Sequence, residues 1–254
     1  MGRLPTTTGT TGWLRVYRSR PRAALRLVCF PHAGSGASLF HGWAERLPES
    51  VELVGVQYPG RQDRSREEPV SRLEVLADEV AAVVPRLFDR PVAFFGHSLG
   101  ATVAFEVARR LSPRFPTPLA GLVVSARLPP TDRATTRYDF TRDDDLRRYL
   151  TRLGDRAGAV LSDPDLWDLL VPPLRGDLLM SQHYRYTPGP PLTCPLTLVA
   201  AAADHGCTID DMRPWTKHTI GPADEHVVPG DHYYVDAPPR ELFDVLAGAA
   251  DRLG

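Results

Sequence analysis

The stretch that most constrains this chain is Gly96-His97-Ser98-Leu99-Gly100, which follows a short apolar run and precedes a helical pattern. The run Val92–Phe95 lies between a proline and a glycine and therefore predicts a short buried strand. A Gly-x-Ser-x-Gly sequence between a strand and a helix predicts a sharp turn that exposes the serine at the strand's carboxyl end. Ser98 is therefore a candidate nucleophile. The alternative is a plain turn between a strand and a helix.

Strand and helix patterns alternate through the first half of the chain and resume near its end. This alternation predicts an α/β fold with a mostly parallel, doubly wound sheet and helices on both faces. Ligands of such sheets bind at the carboxyl ends of the strands. The predicted strands are Trp13–Tyr17, Leu25–Phe30, Val51–Tyr58, Val92–Phe95, Leu119–Ser125, Leu196–Ala201 and Glu225–Pro229.

The alternation stops between residues 127 and 190, where only helical patterns occur. The pattern predicts one helix after Thr141–Asp144 and a second that starts at Asp163-Pro164. Pro172-Pro173 predicts a break, after which a third helix runs to about Tyr184. A structureless loop of this length is rare in a compact domain. Residues 127–190 are therefore predicted to form a helical lid over the carboxyl edge of the sheet.

Length and composition predict one domain over residues 1–254, with residues 1–12 as a flexible tail. The net charge of −1 argues against a nucleic-acid-binding protein, which usually has a strongly basic face. No apolar stretch approaches the roughly 18 residues that span a membrane, and no secretory signal is visible. Three cysteines without metal-like spacing indicate a reducing, cytoplasmic compartment.

A serine nucleophile needs a base, and the base needs an acid that orients it. In folds with this kind of serine turn, the partners follow in the order serine, acid, histidine. Asp204 follows the strand Leu196–Ala201, and His232 follows the strand Glu225–Pro229. Both residues are thus predicted at the same sheet edge as Ser98. The alternatives are a helix cap or surface charge for Asp204 and a surface loop position for His232.

The oxyanion that forms on attack needs N–H donors that already point at it. One predicted donor is the backbone N–H of Leu99, directly after the nucleophile. The other is the N–H of Ala33, in the glycine-rich loop after the strand Leu25–Phe30. A phosphate-binding loop is the alternative, but its spacing fits neither common nucleotide-binding pattern. No residues have credible metal-ligand spacing, so no metal is predicted.

Several blocks of the sequence resemble the signature blocks of type II thioesterases, the discrete editing enzymes of polyketide and non-ribosomal peptide assembly lines. The Pro-His-Ala-Gly and Tyr-Pro-Gly-Arg sequences are far more specific than Gly-x-Ser-x-Gly alone. The resemblance extends over nearly the whole chain and implies the α/β-hydrolase fold. The blocks are Phe30–Gly34, Gln57–Arg64, Gly96–Ala101, Leu174–Asp177 and Tyr184–Tyr186, followed by the regions of Asp204 and His232.

The resemblance implies a triad of Ser98, Asp204 and His232, with Ala33 and Leu99 as oxyanion donors. It also implies an acyl thioester on the phosphopantetheine arm of an acyl or peptidyl carrier protein as substrate, bound transiently. No other cofactor is expected, and a monomer without nucleic-acid or membrane partners is predicted. Two alternatives remain: acyl transfer or ester hydrolysis on small molecules, and a catalytically weak partner that binds the carrier.

Two features of the sequence have more than one interpretation. Pro59-Gly60 reads as a turn, and Arg61 or Arg64 after it is a candidate for positioning the loop or the carrier. Asp231 stands where the family usually has glycine before the catalytic histidine. A second carboxylate beside His232 is expected to alter the pKa of its imidazole.

Overall fold

A computed structural model describes residues 12–111, 119–131, 138–153 and 157–251, and these residues form a seven-stranded sheet flanked by helices. In space the strands follow the order β1-β3-β2-β4-β5-β6-β7. Only β1 pairs antiparallel, at one edge, so the predicted mostly parallel sheet is confirmed. The strands are β1 (Leu14–Arg15), β2 (Leu25–Phe30), β3 (Val51–Val56), β4 (Val92–His97), β5 (Leu119–Ser125), β6 (Leu196–Ala201) and β7 (Ala223–Val228).

Helices cover both faces of the sheet because successive side chains of each buried strand point to opposite sides. Phe94 of β4 packs with the buried faces of two helices on one side. Its neighbour Phe95 packs on the other side with a 3₁₀ helix, Ala37–Glu45, and the C-terminal helix. The helices are α1 (Leu73–Val83), α2 (Leu99–Arg110), α3 (Asp143–Leu153), α4 (Ala157–Ser162), α5 (Pro164–His183), α6 (Ile209–Met212) and α7 (Arg240–Asp251), of which α1 and α2 lie on the Phe94 side.

Helices α3, α4 and α5 lie between β5 and β6 and share a small core of their own. The Asp163 side chain caps α5 by accepting hydrogen bonds from the backbone N–H groups of Asp165 and Leu166, with Pro164 at the first helical position. A helical insertion was predicted here and is present. That it acts as a lid stays a prediction, as does the division of residues 1–254 into one domain with this insertion as a subdomain.

The predicted break at Pro172-Pro173 is wrong, because α5 is one continuous helix of 20 residues. Each proline lacks an N–H and removes one backbone hydrogen bond from the helix. The helix nevertheless continues, since both halves are buried: Trp167 before the prolines and Leu178 after them belong to the same small core. Burial of these side chains outweighs the lost hydrogen bonds.

Within these described ranges, no helix combines the length and the apolar character needed to cross a membrane. The three cysteines are buried and unpaired. The predicted flexible tail, residues 1–12, lies outside the described residues except for Gly12.

Candidate active site

The turn between β4 and α2 holds Ser98 in a strained conformation, with φ 52° and ψ −120°. Strain of this kind persists only where the surroundings fix the backbone. The Ser98 N–H donates to the Ser125 carbonyl at 2.9 Å, which ties the turn to β5. A Cβ on Gly100 would lie 2.1 Å from the Phe30 carbonyl oxygen, so only glycine lets α2 start this close to β2. The result is a partly exposed serine hydroxyl at the carboxyl end of the central strand.

The structure brings Ser98, His232 and Asp204 into one hydrogen-bonded line. His232 Nε2 lies 3.2 Å from Ser98 Oγ, and His232 Nδ1 lies 2.6 Å from Asp204 Oδ2. The last two residues are buried, with 8% and 5% of their surface exposed. The three come from the ends of β4, β6 and β7, separated by up to 134 residues of chain. This is the arrangement that a serine nucleophile, its base and an orienting acid require.

The partners of the His232 ring determine which nitrogen carries the proton. A carboxylate only accepts hydrogen bonds, so Nδ1–H donates to Asp204 Oδ2. The lone pair on Nε2 is then available to accept the Ser98 hydroxyl proton. The other carboxylate oxygen of Asp204 accepts the Gly206 N–H at 3.0 Å, which fixes the carboxylate plane. His232 is thereby held in the tautomer that a general base needs.

Asp231 makes hydrogen bonds within the loop that carries His232, and its expected influence on the His232 imidazole stays a prediction. Its carboxylate accepts the backbone N–H of Tyr233 at 2.8 Å, and its carbonyl accepts the N–H of Tyr234 at 3.2 Å. These bonds form the turn that carries His232. Asp231 therefore acts as a turn residue in this loop.

The two predicted oxyanion donors, the backbone N–H groups of Leu99 and Ala33, follow β4 and β2, which are neighbouring strands of the sheet. Leu99 is the first residue of α2, where an N–H has no partner within the helix. Ala33 lies in the loop after β2. In the described part of the chain, neither N–H makes a hydrogen bond. Both predicted oxyanion donors are thus available to a ligand.

A second series of hydrogen bonds, which the sequence did not indicate, holds the backbone of the loop that carries His232. His97 Nε2 lies 2.8 Å from the His232 carbonyl oxygen, which only accepts, so Nε2 carries a proton. Burial and the neighbouring His232 and His32 hold the pKa of His97 well below its usual value of 6.5, so the ring is neutral. Nδ1 therefore accepts from Ser125 Oγ at 2.6 Å, and Tyr234 Oη donates to Ser125.

His97 is expected to make the protein less stable in acid. Its pKa is lowered in the folded state, so below pH 6.5 the unfolded chain binds a proton that the folded chain excludes. The free energy of unfolding should therefore fall as pH drops from 6.5, by roughly 1 kcal/mol for each pH unit. Urea unfolding of wild type and His97→Asn at pH 7, 6 and 5 should show a shallower fall for the variant.

The matched control for this experiment is His205→Asn, which removes an exposed histidine of the loop after β6. The buried ring stays in place, so the pH dependence should stay as steep as in wild type. An equally steep fall in His97→Asn would contradict the assignment of the acid sensitivity to His97.

The site also contains residues to which sequence reasoning gave no definite role. Ser125 and Tyr234 belong to the hydrogen-bond chain under His232, and no motif indicates either of them. The sequence made Arg61 a candidate for positioning the loop or the carrier, but it did not indicate which residue Arg61 contacts. Asp177 was noted only because it lies in Leu174–Asp177, one of the blocks that resemble type II thioesterases. The structure pairs these two. The described residues contain no group of three or more side chains suited to a metal ion.

Comparison with known proteins identifies the group of proteins to which the chain is related. The profile of the thioesterase domain matches residues 25–247, which include every candidate site residue. The chain belongs to the thioesterase family. It is therefore an enzyme that hydrolyses thioesters, and the α/β-hydrolase fold expected from the motifs is confirmed.

Two relatives and one solved structure show how close the similarity is. This thioesterase is 39% identical over 224 residues to the probable cadicidin biosynthesis thioesterase of Streptomyces griseus, across 88% of the chain but only 62% of the relative. It is 40% identical over 228 residues to thioesterase PikA5 of Streptomyces venezuelae, across 88% of the chain and 80% of the relative. The chain thus spans less than two thirds of the first relative.

The type II thioesterase BorB from the borrelidin biosynthetic cluster has a solved structure that superposes on this thioesterase with a TM-score of 0.84. The two are 35% identical, and the match covers 96% of this chain and all of BorB. The resemblance to type II thioesterases that the motifs indicated is therefore confirmed.

Proposed function

We propose that this thioesterase releases acyl groups from the phosphopantetheine arm of acyl or peptidyl carrier proteins. It removes aberrant or stalled groups from a polyketide or non-ribosomal peptide assembly line. The observation that carries the proposal is the hydrogen-bonded line of Asp204, His232 and Ser98. Its relatives' names, which refer to biosynthetic thioesterases, support the choice of substrate.

The first half of the reaction transfers the acyl group to the enzyme. Ser98 Oγ attacks the thioester carbonyl carbon while its proton passes to His232 Nε2. The carbonyl oxygen becomes an oxyanion, which accepts hydrogen bonds from the N–H groups of Ala33 and Leu99. When the C–S bond breaks, His232 Nε2–H returns the proton to the departing thiolate. Asp204 stabilises the imidazolium while it exists.

The second half of the reaction releases the acid. Water takes the place of the thiol and gives a proton to His232 Nε2 as its oxygen attacks the acyl-enzyme carbonyl. The same two donors stabilise the second oxyanion. Collapse returns the proton to Ser98 Oγ and frees the carboxylic acid. Both steps as proposed use only side chains and backbone N–H groups of this chain, and the phosphopantetheine arm belongs to the substrate.

Three further expectations belong to this proposal. The triad and both oxyanion donors come from one chain, which supports a monomer as the working unit. The three buried, unpaired cysteines support a reducing compartment such as the cytoplasm. The carrier protein is expected to bind transiently, since the enzyme must move from one acylated carrier to the next.

Kinetics on matched substrates test the proposed function. Acid release is measured from an acyl carrier protein, from the same acyl group on free pantetheine, and from the matching oxygen ester. The carrier substrate should have the highest kcat/KM, by about tenfold or more over free pantetheine, which corresponds to about 1.4 kcal/mol of additional binding. Equal turnover of the oxygen ester, without any gain from the carrier, would instead favour a small-molecule esterase.

A further inference from the structure

The loop that carries the Ala33 N–H is held by an ion pair between the loop after β3 and helix α5. Arg61 and Asp177 are 116 residues apart in the chain, and their side chains are only 6% and 3% exposed. Arg61 Nη2 donates to Asp177 Oδ1 at 2.8 Å, and Arg61 Nη1 donates to Asp177 Oδ2. Burial lowers the pKa of Arg61, but the bonds to Asp177 raise it more, so the guanidinium stays charged.

This pair also bonds to the backbone of the Ala33 loop. Asp177 Oδ2 accepts the Gly34 N–H at 2.8 Å, and Arg61 Nη1 donates to the Ser35 carbonyl at 3.1 Å. The Ser35 N–H in turn donates to the His32 carbonyl at 3.1 Å. That carbonyl and the Ala33 N–H belong to the same planar peptide unit. The orientation of the oxyanion donor is therefore linked to Arg61 and Asp177 by a short series of hydrogen bonds.

Helix α5 also contacts this loop directly. Gly34 has φ +78°, and a Cβ there would lie 2.9 Å from the Cβ of Leu174, one turn before Asp177. The helix thus lies against the loop backbone at the point where the loop turns. Neither the sheet nor α2 supplies a comparable polar contact to the Gly34 N–H.

We infer that Arg61 and Asp177 are positioning residues for the oxyanion hole, an inference that rests on the proposed function. The pair aims the Ala33 N–H at the position where negative charge develops, and it links that donor to α5. The C-terminal half of α5 is consequently a fixed part of the active site. We expect this half of the helix to stay in place during turnover, because separating a buried ion pair is costly.

The first test compares Asp177→Asn with wild type on an acyl carrier substrate. The new amide places an N–H group against Arg61, so the pair separates and the loop loses its support. A misplaced donor should lower kcat by about tenfold to a hundredfold, somewhat less than the loss from removing an oxyanion donor outright. KM should stay close to wild type, because the donor acts on the transition state. Glu106→Gln is the control, since Glu106 is a buried ion-pair residue at the far end of α2.

A second measurement separates positioning from a general effect on folding. Ser98 adds to the carbonyl of a trifluoromethyl ketone: the Oγ–C bond forms, the ketone oxygen becomes an oxyanion, and the proton passes to His232. Binding of this inhibitor should weaken by the same factor as kcat in the Asp177→Asn variant. Binding of a thioether analogue without a carbonyl oxygen should be unchanged. A purely structural role would weaken both ligands equally or neither.

The double variant R61M/D177L covers the possibility that single variants fail to fold. Replacing both members of a buried ion pair with apolar side chains often preserves stability. A folded double variant with low kcat would support the inference, and one with wild-type kcat would overturn it. If wild type itself releases no acid from carriers, the proposed function fails. If wild type is active and Asp177→Asn retains full kcat, only this inference fails.

Discussion

Ser98→Ala is expected to lower kcat for thioester hydrolysis by about 10⁵-fold or more, the largest effect of any single change in this chain. The Ser98 hydroxyl forms the proposed acyl-enzyme, and His232 Nε2 lies 3.2 Å away to remove its proton. Alanine keeps the backbone of the turn, including the 2.9 Å bond from the N–H of residue 98 to the Ser125 carbonyl. Single-turnover acid release from a radiolabelled acyl carrier measures the loss.

Two controls make the Ser98→Ala result specific. Ser65→Ala removes the hydroxyl of an exposed serine in the loop after β3 and should leave kcat unchanged. Circular dichroism should show that both variants are folded. Turnover by Ser98→Ala at the wild-type rate would rule out an acyl-enzyme at this serine and would leave water attack as the alternative.

Asp204→Asn should have the second largest effect, a fall in kcat of about 10³- to 10⁴-fold. The asparagine amide can turn its NH₂ group towards His232 Nδ1, which then loses its proton and accepts the bond instead. Nε2 would carry the proton and could no longer take one from Ser98. KM should change little, because the carboxylate acts on the chemical step. Steady-state kinetics over a range of acyl carrier concentrations measures the two constants separately.

Asp231→Asn is the matched control for this prediction, because it makes the same change of group next to the same histidine. The asparagine oxygen can still accept the Tyr233 N–H, so the turn should keep its shape. Its kcat is expected to match wild type. Equal losses in the two variants would show that any change of charge near His232 disturbs the site, and would contradict a specific orienting role for Asp204.

The predictable part of the site follows from the geometry of a parallel sheet. A strand pattern in the sequence shows where a strand ends, and the residue that follows lies at the carboxyl edge of the sheet. All parallel strands end at this same edge. Each predicted site residue follows a predicted strand: Ser98, Asp204, His232 and Ala33. The sequence was therefore enough to predict that they lie at the same edge of the sheet. The order serine, acid, histidine then assigned a role to each side chain.

Helix α5 is an element whose length the local sequence pattern predicted wrongly. Two adjacent prolines predict a break, because each lacks a backbone donor. The helix continues through Pro172 and Pro173 because residues on both sides of them are buried against neighbouring elements. The free energy of that burial depends on how the elements are packed, and no local sequence pattern reports it.

Sequence alone thus determined the sheet edge, the three residues of the proposed triad and the family, because strand periodicity and specific motifs are local features. Only the tertiary structure decided how these residues are held. The buried pair of Arg61 and Asp177 joins positions 116 residues apart. The hydrogen bonds between His97 and Ser125 and between Ser125 and Tyr234 join three separate elements. Such contacts arise when elements pack closely, because leaving a buried polar group without a partner is costly. Their existence follows from packing, and no spacing along the chain specifies them.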